Sequence, residues 1–127
     1  LLVSTSLSSQ GQEFTKEGSK PNLSFDKVKH DFGQIPQGEP ASYAFEISNT
    51  GDAPLVIKDV RPSCGCTTPK WPKKPIAPGE SAEIKAVYDA KSLGAFQKSI
   101  MVDTNVPFSE SKKLKIKGVV EKPEQEG

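Results

Sequence analysis

The chain has 127 residues, 17 Lys and Arg against 16 Asp and Glu, and a formal net charge of +1. This length suffices for one domain with its own core, and the balanced charge excludes a global field that attracts nucleic acid or an anionic membrane. No apolar run approaches the ~18 residues that a membrane-spanning helix needs.

Residues 1–20 precede the patterned part of the chain. From Leu1 to Gln12 an apolar stub is followed by small polar residues, as at the end of a secretory signal peptide. We therefore interpret 1–20 as a signal-peptide remnant and a disordered linker. This interpretation predicts an exported protein, periplasmic or at the cell surface, in an oxidising compartment.

Residues 21–120 show the period-two alternation of β-strands, and most of the chain's 11 prolines and 10 glycines cluster there between short apolar runs. One run, from Leu55 to Val60, is apolar on both faces, which indicates a strand covered on both sides or a bulge that shifts the phase. The apolar members of the clearest runs are Leu23 and Phe25; Val28, His30 and Phe32; Tyr43, Phe45 and Ile47; Ala82, Ile84, Ala86 and Tyr88; Ile100 to Val102; and Leu114, Ile116 and Val120.

Turn residues separate about seven such strands, as expected for an immunoglobulin-like antiparallel β-sandwich over 21–120. Residues 61–79, which contain both cysteines and five prolines, are predicted to be irregular. Residues 121–127 are charged and predicted to be a disordered tail.

Six segments of the chain match the motifs of one known family, in the family's order: His30-Asp31-Phe32-Gly33-Gln34-Ile35, Phe45-Glu46-Ile47-Ser48-Asn49-Thr50-Gly51, Pro54-Leu55-Val56-Ile57, Pro62-Ser63-Cys64-Gly65-Cys66-Thr67, Ile76-Ala77-Pro78-Gly79-Glu80 and Gly94-Ala95-Phe96-Gln97-Lys98. Together they cover about 90 residues. They resemble the bacterial domain of unknown function 1573, an exported Bacteroidetes type, similar to Hydin-type and major-sperm-protein-type immunoglobulin-like domains. The resemblance implies an immunoglobulin-like sandwich and export, and it carries over no activity, substrate or catalytic residue.

Cys64 and Cys66 are the only cysteines, and four roles are open to them. A bent tripeptide brings their Cα atoms into disulfide range, and Gly65 makes the bend easier. The pair can instead bind Cu(I), which accepts two soft ligands, or one cysteine can act as a nucleophile with His30 as its base. Both can also be structural parts of a turn.

We predict neither a catalytic set nor a cofactor, and no metal site beyond the Cu(I) alternative. A histidine between Val28 and Phe32 is more simply a packed residue, and a familiar zinc site needs about four ligands.

A possible interaction loop comprises Arg61, Ser63, Thr67 and Trp71. An exposed tryptophan can anchor an interface, whereas a buried one would cover the end of the sandwich. Lysines at 112, 113, 115 and 117 suggest either an anionic partner or the solvated face of an edge strand.

The function predicted from these residues is an exported, non-enzymatic interaction or adhesion module whose partner is a protein or envelope component rather than nucleic acid. A thiol redox or copper-handling protein that uses Cys64-Gly65-Cys66 is the first alternative. A structural domain of a larger assembly is the second.

Overall fold

The computed structural model describes residues 19–123, in which eight strands form two four-stranded sheets and confirm the predicted all-β sandwich. The first sheet has the order β1-β3-β6-β5 and the second the order β2-β8-β7-β4. The predicted signal remnant up to residue 18 and the tail from residue 124 lie outside the described residues. The strands are β1 (Leu23–Phe25), β2 (Lys29–Pro36), β3 (Ala41–Asn49), β4 (Ile57–Pro62), β5 (Thr67–Lys70), β6 (Ser81–Tyr88), β7 (Gly94–Thr104) and β8 (Lys112–Glu121).

The core lies between the two sheets and uses the alternating positions that the sequence predicts. Each fully buried aliphatic or aromatic side chain there stabilises the fold by roughly 1.5–3 kcal/mol. Residues 19–123 contain no helix that is long and apolar enough to cross a bilayer. The larger hydrophobic residues with no exposed surface are Phe45, Ile47, Leu55, Ile84, Ile100, Leu114 and Ile116.

The segment 61–79, predicted to be irregular, contains the additional strand β5. This strand pairs only with β6 and forms the edge of the first sheet. An edge position tolerates Pro69, because its missing N–H can face away from the neighbouring strand. Pairing with β6 therefore makes a strand where the local sequence shows no alternation.

The strands β2 and β8 pair in parallel, with Lys29 beside Lys115, whereas every other described pair is antiparallel. No hairpin joins these two strands, so the long intervening chain lets them run in the same direction. The pairing places β8 inside the second sheet. The expectation that its lysines occupy an edge strand is therefore wrong.

A shift in register between Ile57 and Asp59 favours the bulge over the other explanation of this run, a strand covered on both sides. Ile57 and Val60 are both buried although they are three residues apart, a spacing that an uninterrupted strand would place on opposite faces.

Candidate functional site

The two cysteines lie in a short loop, Ser63–Cys66, which we call the crossover loop. It leads from β4 in the second sheet to β5 in the first, and both strands are sheet edges. Cys64 and Cys66 are half-buried and joined by a disulfide, with their Cα atoms 5.3 Å apart. The ring therefore lies where the chain changes sheets.

Backbone hydrogen bonds hold the crossover loop to both sheets. The Ser63 N–H donates to the Ser99 carbonyl at 2.8 Å, and the Ser99 N–H donates back to Ser63 Oγ at 3.1 Å. On the other side, the Asp89 N–H donates to the Cys66 carbonyl at 2.9 Å. The loop is consequently preorganised, and ordering it on binding would cost little entropy.

Each sulfur atom of the ring has a hydrogen-bond donor beside it. The Cys66 N–H points to Cys64 Sγ at 3.3 Å, and Thr67 Oγ1 lies 3.9 Å from Cys66 Sγ. Thr67 is only 2% exposed, so this predicted interaction residue contacts the disulfide instead of presenting its hydroxyl to a partner. Gly65 has open space where a Cβ would stand, so the loop does not require a glycine there on steric grounds.

Arg61 is held by neighbours on the outer face of the second sheet. Its Nη2 lies 3.0 and 2.8 Å from the two carboxylate oxygens of Asp103 and 3.2 Å from Ser111 Oγ, and its Nε is 3.6 Å from Asp59. The hydroxyl of Ser111 and then the Arg61 guanidinium lower the pKa of the Asp103 carboxyl. Arg61 is thus half-exposed, but its guanidinium is already paired with Asp103 and Asp59.

Trp71 follows β5 and is half-buried against the core. Lys73 Nζ lies 3.6 Å from the centre of its ring, a cation–π contact. Both contacts are intramolecular, so they favour the covering role for Trp71 over that of an exposed anchor.

His30 lies far from the cysteines. It is in β2, at the opposite edge of the second sheet from β4, about 14 Å away at three strand spacings. Its ring stacks on Tyr43 at 3.8 Å and meets Phe32 edge-on at 4.7 Å. The structure therefore does not assemble a cysteine–histidine pair, and among residues 19–123 no three His, Cys, Asp or Glu side chains converge as a metal site.

A fully exposed aromatic side chain, Phe108, lies in the loop that joins β7 to β8. Its backbone φ is +58°, a left-handed conformation that costs a non-glycine residue roughly 1–2 kcal/mol. Beside it is an open depression of about 460 Å³, also lined by Asn22, Gly51, Asp52 and Val106. The sequence around Phe108 gives no local sign of this exposure, since the preceding Asn105-Val106-Pro107 is typical only of a break after a strand.

The base of this loop is fixed to the preceding β-structure. Asn105 Oδ1 accepts the Val56 N–H at 2.8 Å, and its Nδ2 donates to the Pro54 carbonyl at 3.1 Å. The Ser109 N–H donates to the Val106 carbonyl at 3.3 Å and closes a turn around Phe108. The phenyl ring is therefore presented by an anchored turn.

A family model described as protein of unknown function (DUF1573) matches residues 23–120. The chain belongs to the DUF1573 family. This confirms the resemblance drawn from the sequence motifs, which include the cysteine tripeptide of the crossover loop.

Solved structures similar to this DUF1573 domain show the same kind of fold. A protein of unknown function from Porphyromonas gingivalis W83 is 23% identical with a TM-score of 0.71, and the match covers 83% of this chain and 49% of that one. A PapD-like domain of human CEP192 is 12% identical with a TM-score of 0.65, covering 95% and 99%. The VesB protease of Vibrio cholerae is 19% identical with a TM-score of 0.61, covering 77% and 31%. The chain thus spans about half of the first protein and a third of the protease.

Removal of the Cys64–Cys66 ring should cost little stability. A three-residue loop corresponds to about 1.5 kcal/mol in the chain-entropy relation, so we expect the Cys64→Ser/Cys66→Ser double variant to lose about that much free energy of unfolding. Urea unfolding of this variant, and of the wild type in reductant, measures the loss. A loss above about 4 kcal/mol would contradict an entropic role limited to this short loop.

His30 should make the stability of the DUF1573 domain depend on pH. Burial, and then the positive charge of Lys27, lower the pKa of His30 from 6.5, while Asp31 acts in the opposite direction. The unfolded chain therefore binds a proton at His30 more tightly than the folded domain does. The contribution of neutral His30 to the free energy of unfolding should be wholly present above pH 6.5 and should decrease as the pH falls below that value. Urea midpoints at several pH values should show the fall in the wild type and a flatter profile in His30→Phe.

Proposed function

We propose that the domain is a non-catalytic protein-binding module of an exported protein at the cell envelope, and that Phe108 is its principal anchor. The observation that carries the proposal is the fully exposed phenyl ring on a fixed turn. Large aromatic side chains contribute much of the binding energy of protein interfaces when they enter a pocket of the partner.

The backbone at Phe108 supports a binding role. A left-handed conformation at a bulky residue is costly in the free domain, and such costs are characteristic of functional positions. The adjacent depression is lined by polar residues, such as Asn22 and Asp52, and by the apolar residues Val106 and Pro107. Protein interfaces combine polar and apolar groups in this way.

The residues best suited to catalysis have other contacts, which supports a non-catalytic role. Cys64 and Cys66 are bonded to each other, and His30 stacks on Tyr43. Export is supported by the signal-like residues Leu1 to Gln12 and by the disulfide, because disulfides persist in oxidising compartments.

Photocrosslinking in the expressing cell tests the proposal. A photoreactive phenylalanine analogue replaces Phe108 in the full chain, and the control carries it at Leu93, another exposed apolar residue. We expect one defined heterologous product from position 108, absent from position 93 and competed by the wild-type domain but not by Phe108→Ser. The same products from both positions would contradict the proposal, as would a product made of two copies of the chain. Recovery of the chain only inside the cytoplasm would contradict its export.

Thiol–disulfide exchange is a second candidate function because both sulfur atoms have a donor beside them. A thiolate of a partner dithiol would attack one sulfur, form a mixed disulfide and release the other cysteine as a thiolate. The second thiol of the partner would then release the domain as a dithiol and become oxidised itself. Donors to a thiolate stabilise it and favour the reduced domain.

Titration with dithiothreitol, followed by alkylation and intact mass, measures this exchange. Thr67→Val removes the hydroxyl beside Cys66 and keeps the shape of the side chain, so we expect it to be reduced less readily than the wild type. The matched control is Thr68→Val, at an exposed neighbour. A disulfide that resists reduction in the folded protein would remove this candidate.

A further inference from the structure

Four lysines cluster on the outer face of the second sheet, and we call this group the basic face: Lys29, Lys113, Lys115 and Lys117. Three of them alternate along β8 with the buried Leu114 and Ile116 and therefore point away from the core. Lys29 joins them because β2 runs parallel to β8 and places it directly beside Lys115.

The charges of the basic face are only partly compensated. Lys117 Nζ lies 4.0 Å from Asp31 Oδ2, whereas Lys29, Lys113 and Lys115 have no carboxylate within 4.0 Å among residues 19–123. The whole chain carries a formal charge of only +1, so positive charge is concentrated here. The outer face of the first sheet has a different composition: it carries two lysines, Lys70 and Lys85, and as many carboxylates, Glu46 and Glu83, although no ion pair within 4.0 Å joins them.

Stability does not explain this arrangement. Like charges on adjacent strands destabilise a sheet, and Lys29 and Lys115 are direct neighbours. Lys70 and Lys85 are also neighbours on the first sheet, but on the basic face the like charges extend to four lysines. Charged residues on an edge strand would prevent strand-to-strand aggregation, but β8 lies inside its sheet. A bound anion would remove the repulsion.

Two shallow depressions on this face adjoin each other. One, of about 250 Å³, is lined by Lys29, Asp31, Gln97, Lys115 and Lys117, with His30 and Ile116. The other, of about 230 Å³, shares Gln97 and Lys115 and continues to Ser99, Lys98 and Lys113. The result is a track across three strands in which the lysines adjoin the neutral side chains of Gln97 and Ser99, with the carboxylate of Asp31 at one end beside Lys117.

The spacing of the lysines selects the class of ligand. Alternate residues of a strand are about 6.7 Å apart, and neighbouring strands about 4.8 Å, so one small anion cannot contact all four ammonium groups. A polymer with repeated anionic groups can. The side chains between the lysines are Gln97 and Ser99, which suit sugar hydroxyls, rather than the aromatic rings on which unpaired bases stack.

We propose that the basic face binds an acidic polysaccharide, whose carboxylate or sulfate groups pair with the lysines and whose hydroxyls meet Gln97 and Ser99. This site is separate from the Phe108 loop and does not depend on the protein-binding function. Either proposal can fail while the other holds.

Binding of the full chain to dextran sulfate, with unsulfated dextran as the control polymer, tests the inference. Lys29→Gln/Lys115→Gln should weaken binding about tenfold or more, because both lysines lose their attraction to the anionic chain. Lys70→Gln/Lys85→Gln removes the same charge from a neighbouring pair on the other sheet and should change the affinity less than twofold. Urea midpoints close to the wild type verify that both variants fold.

Three results would overturn the inference. In the first, the wild type binds both dextrans equally or binds neither. In the second, the two double variants lose affinity to the same extent, which would show a response to net charge alone. In the third, single-stranded DNA, duplex DNA or phosphatidylserine vesicles bind at least as tightly as dextran sulfate at equal salt, so that the occupant is not a polysaccharide.

Discussion

Replacement of Asn49 by alanine should destabilise the domain by about 3 kcal/mol, because it removes three hydrogen bonds that a buried side chain makes to the backbone. Asn49 is 1% exposed. Its Nδ2 donates to the carbonyls of Ala53 and Ile76, both at 2.8 Å, and its Oδ1 accepts the Gly51 N–H at 2.9 Å. One side chain thus ties the turn after β3 to the loop that precedes β6.

Asn105→Ala is the matched control for this prediction. Asn105 also makes two hydrogen bonds to backbone groups, but it is exposed and water can replace them, so a loss of about 1 kcal/mol is expected. Asn49→Asp keeps the acceptor and removes both donors, so it should be at least as harmful as alanine at neutral pH. Urea unfolding measures the stability of all three variants. A loss for Asn49→Ala no larger than that for Asn105→Ala would refute the stabilising role of the buried Asn49 hydrogen bonds.

Gly118→Val should lower the free energy of unfolding by about 3 kcal/mol, because the core has no room for a side chain at this point. A Cβ on Gly118 would lie 2.9 Å from the Phe96 ring and 2.9 Å from the Gly33 carbonyl oxygen. Phe96 in turn stacks on Tyr88 of the opposite sheet at 4.0 Å. Any displacement of the Phe96 ring therefore disturbs the contact between the sheets.

Gly65→Ala is the control for Gly118, since a Cβ at residue 65 meets nothing within 4 Å. We expect it to change the free energy of unfolding by less than about 0.5 kcal/mol. In Gly118→Ala, the additional change Phe96→Leu should recover part of the lost stability, because the smaller side chain gives the new methyl group space. Equal losses in Gly118→Val and Gly65→Ala would show that close packing at Gly118 is not the cause.

The strands of the sandwich were predictable because their signal is local. Alternation places Phe45 and Ile47 on one face whatever the rest of the chain does. The bulge at Ile57 was predictable for the same reason, since it breaks that alternation. The strand β5 was not, because Thr67–Lys70 becomes a strand only through its pairing with β6.

The candidate sites likewise divide into features that the sequence shows and features that only the folded domain shows. The cysteine tripeptide stands out in the sequence. The contact of the Thr67 hydroxyl with Cys66 Sγ, however, and the backbone hydrogen bonds that join the crossover loop to Ser99 and Asp89, depend on which strands lie beside the loop. Asn49 has no local signal of its role, and only its burial and its hydrogen bonds show that it connects distant segments. Phe108 had no local signal, because exposure is a property of the folded surface.

The sequence by itself determined the all-β class, the positions of most strands, the family and the proximity of the two cysteines, since each follows from residues that are near one another in the chain. The tertiary structure alone decided the parallel pairing of β2 with β8. That pairing places Lys29 beside Lys115 and moves the lysines of β8 from an expected edge to the interior of a sheet. The physical reason is that strand partners are chosen by packing over the whole domain, whereas alternation specifies only which face of each strand is buried.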